Sequence, residues 1–547
     1  MYQDETATKI IKRQSILESN RSTWENHWFE IDELVAPSPN YFHGNNPTPG
    51  RKNNDKIFDV TATGALNRFI AAMSSTLTPR VQRWHTLFNP QLKDNHNAQL
   101  YLEQVCDILF SIRYNPKSNF ASQIDECYRS LGKFGTACLL VDDELGQGIR
   151  YKAIHLSEVF ISENASGIVD TVYRKFKYTA RQAQEAWGEE NLPDKINQCA
   201  KDNPDEEFWF IHAVSPNTDE QDMRYFAFKS YYVAADAKKI VSEGGYRKMP
   251  YIVSRYITEG NEVYGRSPAM DVLPEIKTLN RSRRAVLKQT EKAVDPVLLA
   301  TDDAAINGLS LQAGAINYGG VDEQGRQLVV PLQTNARIDV GIDQINQMRQ
   351  AINEAFLVTL FQVLVQDRPQ QTATEVEYRQ QEKGEMLAPT MGRQQSELLS
   401  PMIDRELDIL SMAGILPPMP QELLQLGGEF EITFEAPLNK IMRSNEAIAI
   451  LNTLQTAAGM AQFDPSILQM FDIEEAMRIL ADIRGVPAKI MHSKEEVAAM
   501  KQQQAQQAQM QQLLQAAPVV ASSAKDMAQA QQYASSASPA PNMGVNQ

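Results

Sequence analysis

The sequence is poor in cysteine and histidine. Its four cysteines, Cys106, Cys127, Cys138 and Cys199, lie far apart without a CxxC pair, and its seven histidines are as widely scattered. Such spacing supports neither a zinc site nor a disulfide framework, so no metal and no cofactor are expected and synthesis in a reducing cytosol is. Long apolar runs are missing too. Nowhere do roughly 18 apolar residues follow one another, and the first residues, MYQDETATKIIKRQ, contain no apolar stretch of the signal-peptide kind. A soluble chain with no membrane partner is the expectation.

Positive charge is in deficit, with 53 Lys and Arg against 68 Asp and Glu and a formal net charge of −15. This excludes a protein that coats itself with nucleic acid, because neutralising phosphates needs a basic face. It does not exclude a loose, weakly repelling wall around a moving polyanion. Catalytic signatures are missing as well: no G-x-S-x-G, H-E-x-x-H, D-F-G or dinucleotide fingerprint stands in a suitable context. The cluster Gly132, Lys133, Gly135 and Thr136 lacks the GxxxxGK[ST] pattern, and its order of helix, glycine turn and strand is the reverse of a phosphate loop. The pairs Asp142–Asp143 and Asp302–Asp303 have no third ligand at useful spacing and read as solvated turns. A scaffold or conduit is expected rather than an enzyme.

The 547 residues suffice for about three domains. TKIIKRQSILESNRSTWENHWFEIDELVAP carries apolar and aromatic residues at helical spacing and stops at Pro37. A loop rich in Gly, Pro and Asn follows, and IFDVTATGALNRFIAAMSSTLTP resumes a helix. IDECYRSLGKFGTACLLVDDE predicts a helix, a glycine turn and a strand. Between Arg150 and Ile257 the alternation is that of strands, in IRYKAIHLSEVFIS, EEFWFIHAVSP, MRYFAFKSYYVAA and MPYIVSRYIT, flanking a helix at TARQAQEAWG. The fold class is therefore α+β, predominantly helical.

The positive charge that exists is gathered in YGRSPAMDVLPEIKTLNRSRRAVLKQTEKAVDPVL. Ser267 and Pro268 suit an N-cap and a first turn, and the run to Pro296 predicts one helix of about 26 residues, roughly 39 Å long. Lys277, Arg281, Arg284, Lys288 and Lys292 fall on one stripe, beside an apolar face of Val272, Leu273, Ile276, Leu279, Val286 and Leu287. Such a stripe can face acid, phosphate or water.

A short α/β insert follows, and then a second amphipathic helix with Ile338, Ile342, Ile345, Ile352 and Phe356 on roughly one side. After the loop QVLVQDRPQQ, the segment from TATEVEYRQQEK to Gly414 reads as a long helix kinked at Pro389 and Pro401. GGEFEITFEAPL is a strand able to join the sheet of the first half. Helices run from Asn439 to about Val497, and beyond Lys501 the Gln- and Ala-rich text is of disordered type.

This order of parts resembles the head-to-tail connector, or portal, proteins of short-tailed bacteriophages over roughly Lys9 to Val497. RKNNDKIFDVTATGALNRFIAAMSSTLTPRVQRWHTL, LGKFGTACLLVDDE and TATEVEYRQQEK carry the resemblance, and YGRSPAMDVLPEIKTLN is its most specific segment. The resemblance implies a dodecameric ring at one capsid vertex, through which double-stranded DNA is packaged and ejected. It implies as partners the terminase large subunit, the major capsid and scaffolding proteins, tail adaptors and internal core proteins. Carried onto this chain, residues 1–265 form an α+β wing, 266–293 and 338–361 the two stem helices, and 294–337 the clip. Residues 362–372 become a channel loop, 373–438 a kinked wing helix with a closing strand, 439–500 a helical crown and 501–547 a disordered tail. Arg368, Gln366 and Gln370 are then channel residues. The basic stripe faces DNA or the neighbouring subunit, where Asp339 and Asp343 are candidate partners. The competing readings are a terminase-like packaging enzyme, which would need the phosphate loop and Mg²⁺ site that are missing, and a structural adaptor that forms no ring.

Low-complexity Gln/Ala/Ser text cannot bury a core. Deleting everything after Lys501 is therefore expected to leave ring assembly intact, as judged by negative-stain images of the purified truncated chain; loss of rings would make the tail structural.

Overall fold

Helix α1 (Tyr2–Leu34) owes its place to Ala7, Ile10 and Leu17, which recur at helical spacing and are buried. They pack on Phe160, Tyr173, Ile211, Ala213, Val233 and Ile240 of an antiparallel five-stranded sheet. Its strands are β4 (Val159–Glu163), β5 (Val169–Thr179), β6 (Glu207–Pro216), β7 (Phe228–Ala234) and β8 (Lys239–Tyr246), in chain order. Alternation along each strand supplies a second apolar face, where Phe176, Phe208, Phe210 and Val241 meet Ala180, Ala183, Leu192 and Ile196. Those residues come from or beside α5 (Ala180–Trp187) and α6 (Asp194–Asp202). A capping box between Thr179 and Gln182 starts α5 where β5 ends.

The computed structural model describes residues 2–37, 42, 55–92, 95–144, 148–218, 226–300, 310, 312, 314–316, 321–322, 324–332, 338–359, 389–425, 427, 430–434, 437–460, 470–484, 486, 490–492, 494 and 496–508. The chain divides into two compact units. The larger holds Met1–Leu87, Gln104–Pro418 and Ile432–Ile483; the smaller holds Phe88–Glu103, Met419–Glu431 and Arg484–Gln547. Within the described residues the smaller unit is helical and turn-like, with the short helix Gln421–Gln425 and a helical stretch over 496–508.

The larger unit also contains α2 (Thr61–Leu77), α4 (Phe120–Phe134) and a second sheet of β2 (Thr136–Glu144), β3 (Gly148–Ile154) and β9 (Tyr251–Arg255), with β2 in the centre. Gly135 ends α4 in the left-handed conformation, φ 74°, as the glycine turn of the sequence anticipates. Its backbone passes that of Gly265 so closely that a Cβ on Gly135 would lie 2.4 Å from the Gly265 carbonyl oxygen. A Cβ on Gly265 would lie 2.3 Å from the Gly135 oxygen. Around this crossing the Tyr256 N–H donates to Gly135 O at 2.8 Å, the Gly265 N–H to Thr136 Oγ1 at 2.9 Å, and Ser267 Oγ to Lys133 O at 2.8 Å. The Tyr264 ring packs edge-on to Trp28 at 5.2 Å.

Four sequence expectations are corrected. The basic helix is not continuous: α7 (Pro268–Asp271) stops at Val272 (φ −106°, ψ 14°), and α8 (Leu273–Val294) starts anew. Pro274 is the reason, since it has no N–H to give the preceding turn and its ring crowds the carbonyl four residues back. The second helix is not continuous either: α9 (Ile338–Ala355) ends where Leu357 turns left-handed at φ 56°, between the buried Phe356 and Val358, and Phe361 lies outside the described residues. Strand β12 (Glu431–Phe434) pairs with the short β1 (His85–Phe88) instead of joining either larger sheet. Asp142 and Asp143 lie in β2, not in a turn, and successive strand residues point to opposite faces, so the two cannot chelate together.

Pro401 does distort its helix. The π-helical turn Gln395–Leu399 precedes Ser400–Met412, which ends before Gly414 at φ 66°. The insert between α8 and α9 forms an antiparallel ladder of β10 (Leu298–Ala300) and β11 (Val329–Pro331).

The crossing yields a test. Gly265→Ala is expected to destabilise the chain by about 2 kcal/mol or more, because the clash is with backbone that cannot yield. Gly64→Ala in α2, which meets nothing within 4 Å, is expected to be neutral or stabilising by up to about 1 kcal/mol. Denaturant unfolding of both variants decides; equal midpoints would show that the crossing is not tight.

Candidate nucleic-acid and subunit interface

Ser267 accepts the Met270 N–H at 3.1 Å and so caps α7, as its position before Pro268 anticipates. In α8, Leu273, Ile276, Leu279 and Asn280 are buried, all in the first two turns. Past Asn280 no residue of α8 is buried. Helix α9 runs antiparallel to it: Gly341 lies against Val286, while Asn280 and Arg349 converge on Asp59. Ile345 and Ile352 of α9 are buried, as is Phe356 just past its end, which meets Phe69 edge-on at 6.3 Å. Of the predicted apolar stripe, Ile342 alone among the described side chains stays exposed.

The five cations of the stripe have unequal surroundings. Lys277 pairs with Glu30 of α1 at 2.6 Å, and Arg284 lies over the Phe58 ring at 5.3 Å. Arg281, Lys288 and Lys292 are exposed and have no partner among the described residues. Arg283, a cation outside the predicted stripe, is half-buried beside them. Of the candidate acidic partners, Asp343 is exposed on α9, whereas Asp339 is placed on α9 by its backbone alone. Arg368, Gln366 and Gln370 lie outside the described residues.

A polar junction at the base of the helix pair escapes the sequence reading. Asp59 carries Thr61 on one oxygen and Arg349 on the other, with Nη2 at 2.7 Å. Burial raises its carboxyl pKa, but the hydrogen bonds from Thr61 and Arg349 outweigh this and hold it below the usual range. The one signal for it was an Asp just ahead of a helical run.

Among the described residues no group of three or more His, Cys, Asp or Glu could hold a metal ion, and no helix is long and apolar enough to cross a membrane. What the α8–α9 pair offers is a row of cations with no partner among the described residues beside an exposed acidic residue, a surface suited to contact with a polyanion or another copy rather than to bond-making.

Residues 7–491 match the family described as bacteriophage head to tail connecting protein. The chain belongs to this family. The connector is 28% identical over 509 residues to a probable portal protein of Bordetella phage BPP-1, covering 91% of this chain and 90% of the relative. It is 25% identical over 535 residues to the portal protein of Salmonella phage epsilon15, covering 96% and 95%. Among solved structures, it is similar to a chain in the neck of an empty gene transfer agent particle, with 10% identity, a TM-score of 0.37 and coverage of 77% of this chain and 94% of that one. The connector is a portal protein of the head–tail junction, a structural component of the virion and not an enzyme.

Because Arg281, Lys288 and Lys292 touch no described partner, changing all three to Gln is expected to alter the unfolding free energy of the isolated connector by no more than about 0.5 kcal/mol. A larger loss in a denaturant titration would mean that they serve the single chain.

Proposed function

We propose that the connector assembles as a twelve-membered ring through which double-stranded DNA enters during packaging and leaves at ejection, with α8 and α9 forming the stem. The observation that carries this reading is the emptiness of α8 past Asn280: a long basic helix segment with no buried residue is a surface awaiting completion. The ribbon that follows supports it. Leu298, Leu299, Val330 and Leu332 are all exposed on a ladder of two three-residue strands, too little to be stable alone in water.

In this reading the sheets with α1, α2, α4, α5 and α6 and the helix Ser400–Met412 form the wing, 294–337 the clip, 362–372 the channel loop bearing Arg368, 439–500 the crown, and 501–547 an accessory tail. The terminase large subunit would dock during packaging and tail adaptors afterwards. Major capsid and scaffolding proteins would surround the wing, and internal core proteins would meet the crown.

Twelve copies multiply the formal charge of −15, so a channel lined by unrelieved acid would repel a duplex carrying one charge per roughly 1.7 Å of axis. The stripe relieves this in two ways. Some of its cations pair with Asp343 and Asp339 of the next copy, and the rest moderate the potential seen by DNA.

Reversing Lys288 and Lys292 to Glu is expected to prevent rings at low salt, and adding Asp343→Lys to restore them, as seen in negative-stain images and by light scattering. Rings unaffected by the reversal, with packaging lost, would assign the stripe to DNA alone. Monomers from the unaltered connector would favour an adaptor that forms no ring, and ATP turnover that tracks the polypeptide would favour a motor enzyme.

A further inference from the structure

Asp59 is buried, and its two oxygens serve different masters. Oδ1 accepts the Thr61 N–H at 2.9 Å and the Thr61 hydroxyl at 2.5 Å, and so ties the first residue of α2. Oδ2 accepts Nε of Arg349 at 3.1 Å and Nη2 at 2.7 Å. The backbone N–H groups of Phe58 and Asp59 donate to Asn280 Oδ1 at 2.9 and 3.2 Å, and the Asn280 amide in turn donates to Ile276 O at 3.1 Å. Two adjacent residues thus join the start of α2 to both α8 and α9.

Past Asn280, little besides α9 and the Arg284 contact with Phe58 holds α8. The chain is broken at Val272, before Pro274, and no residue of α8 past Asn280 is buried. The Lys277–Glu30 pair has side chains 38% and 48% exposed, and such pairs hold weakly. By contrast the Asp59 side chain is only 3% exposed in its pair with Arg349, where a charge-assisted contact is strong and directional.

We infer that Asp59 is the positioning residue of the α8–α9 pair: its carboxylate grips α9 through Arg349, its backbone N–H with that of Phe58 holds the root of α8 through Asn280, and α8 past Asn280, with Val286 against Gly341, takes its direction from α9. Its consequence for the ring, the tilt of the stem, rests on the stem reading above, whereas the hold on the helices belongs to the single chain.

Asp59→Asn separates the two duties, since Asn keeps an oxygen for the Thr61 N–H but loses the charge that grips Arg349. Hydrogen–deuterium exchange on the purified full chain is expected to show residues 281–294 and 341–355 exchanging roughly tenfold faster in this variant, with β5 to β7 unchanged. Arg349→Met is expected to match it, and the double variant to add nothing further. Thr61→Ala is expected to loosen only the first turn of α2. Parent-like protection of both helices in Asp59→Asn and Arg349→Met, or equal loosening in Thr61→Ala, would overturn the assignment. Should Asp59→Asn fail to fold, Arg349→Met carries the test alone, its side chain being partly exposed. Loosened helices in a variant whose particles package DNA as the parent's do would uphold the positioning role and overturn the stem reading.

Discussion

Where Gly135 passes Gly265, two backbones lie too close for a side chain on either, and much of the larger unit is arranged around that contact. One strand of the crossing leads from α4 into the centre of the β2 sheet. The other leads from Tyr264, lodged against Trp28 of α1, into Ser267 and α7. The first helix, the central strand and the root of the basic helix are thereby fixed at one place. This gives a physical meaning to two glycines that composition alone cannot distinguish from the other 25 of the 27.

Buried charges tie distant parts of the chain to that hub. Arg21 donates to the Leu156 carbonyl at 2.7 Å and to Ser157 at 2.9 Å, holding α1 to the entry of β4. Lys133 pairs with Asp32, and burial lowers its ammonium pKa against the pull of that carboxylate. Arg255 joins Glu163 and Glu397, so the π-helical turn delivers a carboxylate to the end of β9. Arg113 and Glu406 form a pair with both side chains fully enclosed, into which the Tyr151 hydroxyl donates. Isolated pairs of this kind add little net stability over apolar replacements, but losing one partner costs about 3–5 kcal/mol, so they act mainly as a requirement that each segment be in place.

Periodicity made much of this legible. The Ala7, Ile10 and Leu17 stripe, the alternating strands between Arg150 and Ile257, the Gly135 turn and the Ser267 cap all follow from local rules, and so does the mixed class with its helical majority. The interruption at Val272 was less legible, because Pro274 is tolerated near a helix start and does not by itself say that a separate turn precedes it. The early end of α9 depends on a left-handed Leu, which no propensity would nominate. At the candidate site the basic stripe was legible as charge, but its division into paired and unpaired members was not, since Glu30 and Phe58 lie more than 200 residues from their partners. Asp59 was hidden for the same reason: Arg349 is 290 residues away.

The Arg113–Glu406 pair also has a bearing on time. A chain emerging from the ribosome presents Arg113 long before residue 406 exists, so for most of synthesis that guanidinium has no enclosed partner and its site stays open. The five-stranded sheet with α1, α5 and α6 needs nothing beyond residue 246 and can form early. Closure of the other sheet waits for the helix Ser400–Met412, which must find β2 and β3 from a separation of some 250 residues. The chain therefore completes this body only when about three quarters of it has been made, and a truncated translation product ending earlier would leave Arg113 without its enclosed carboxylate partner.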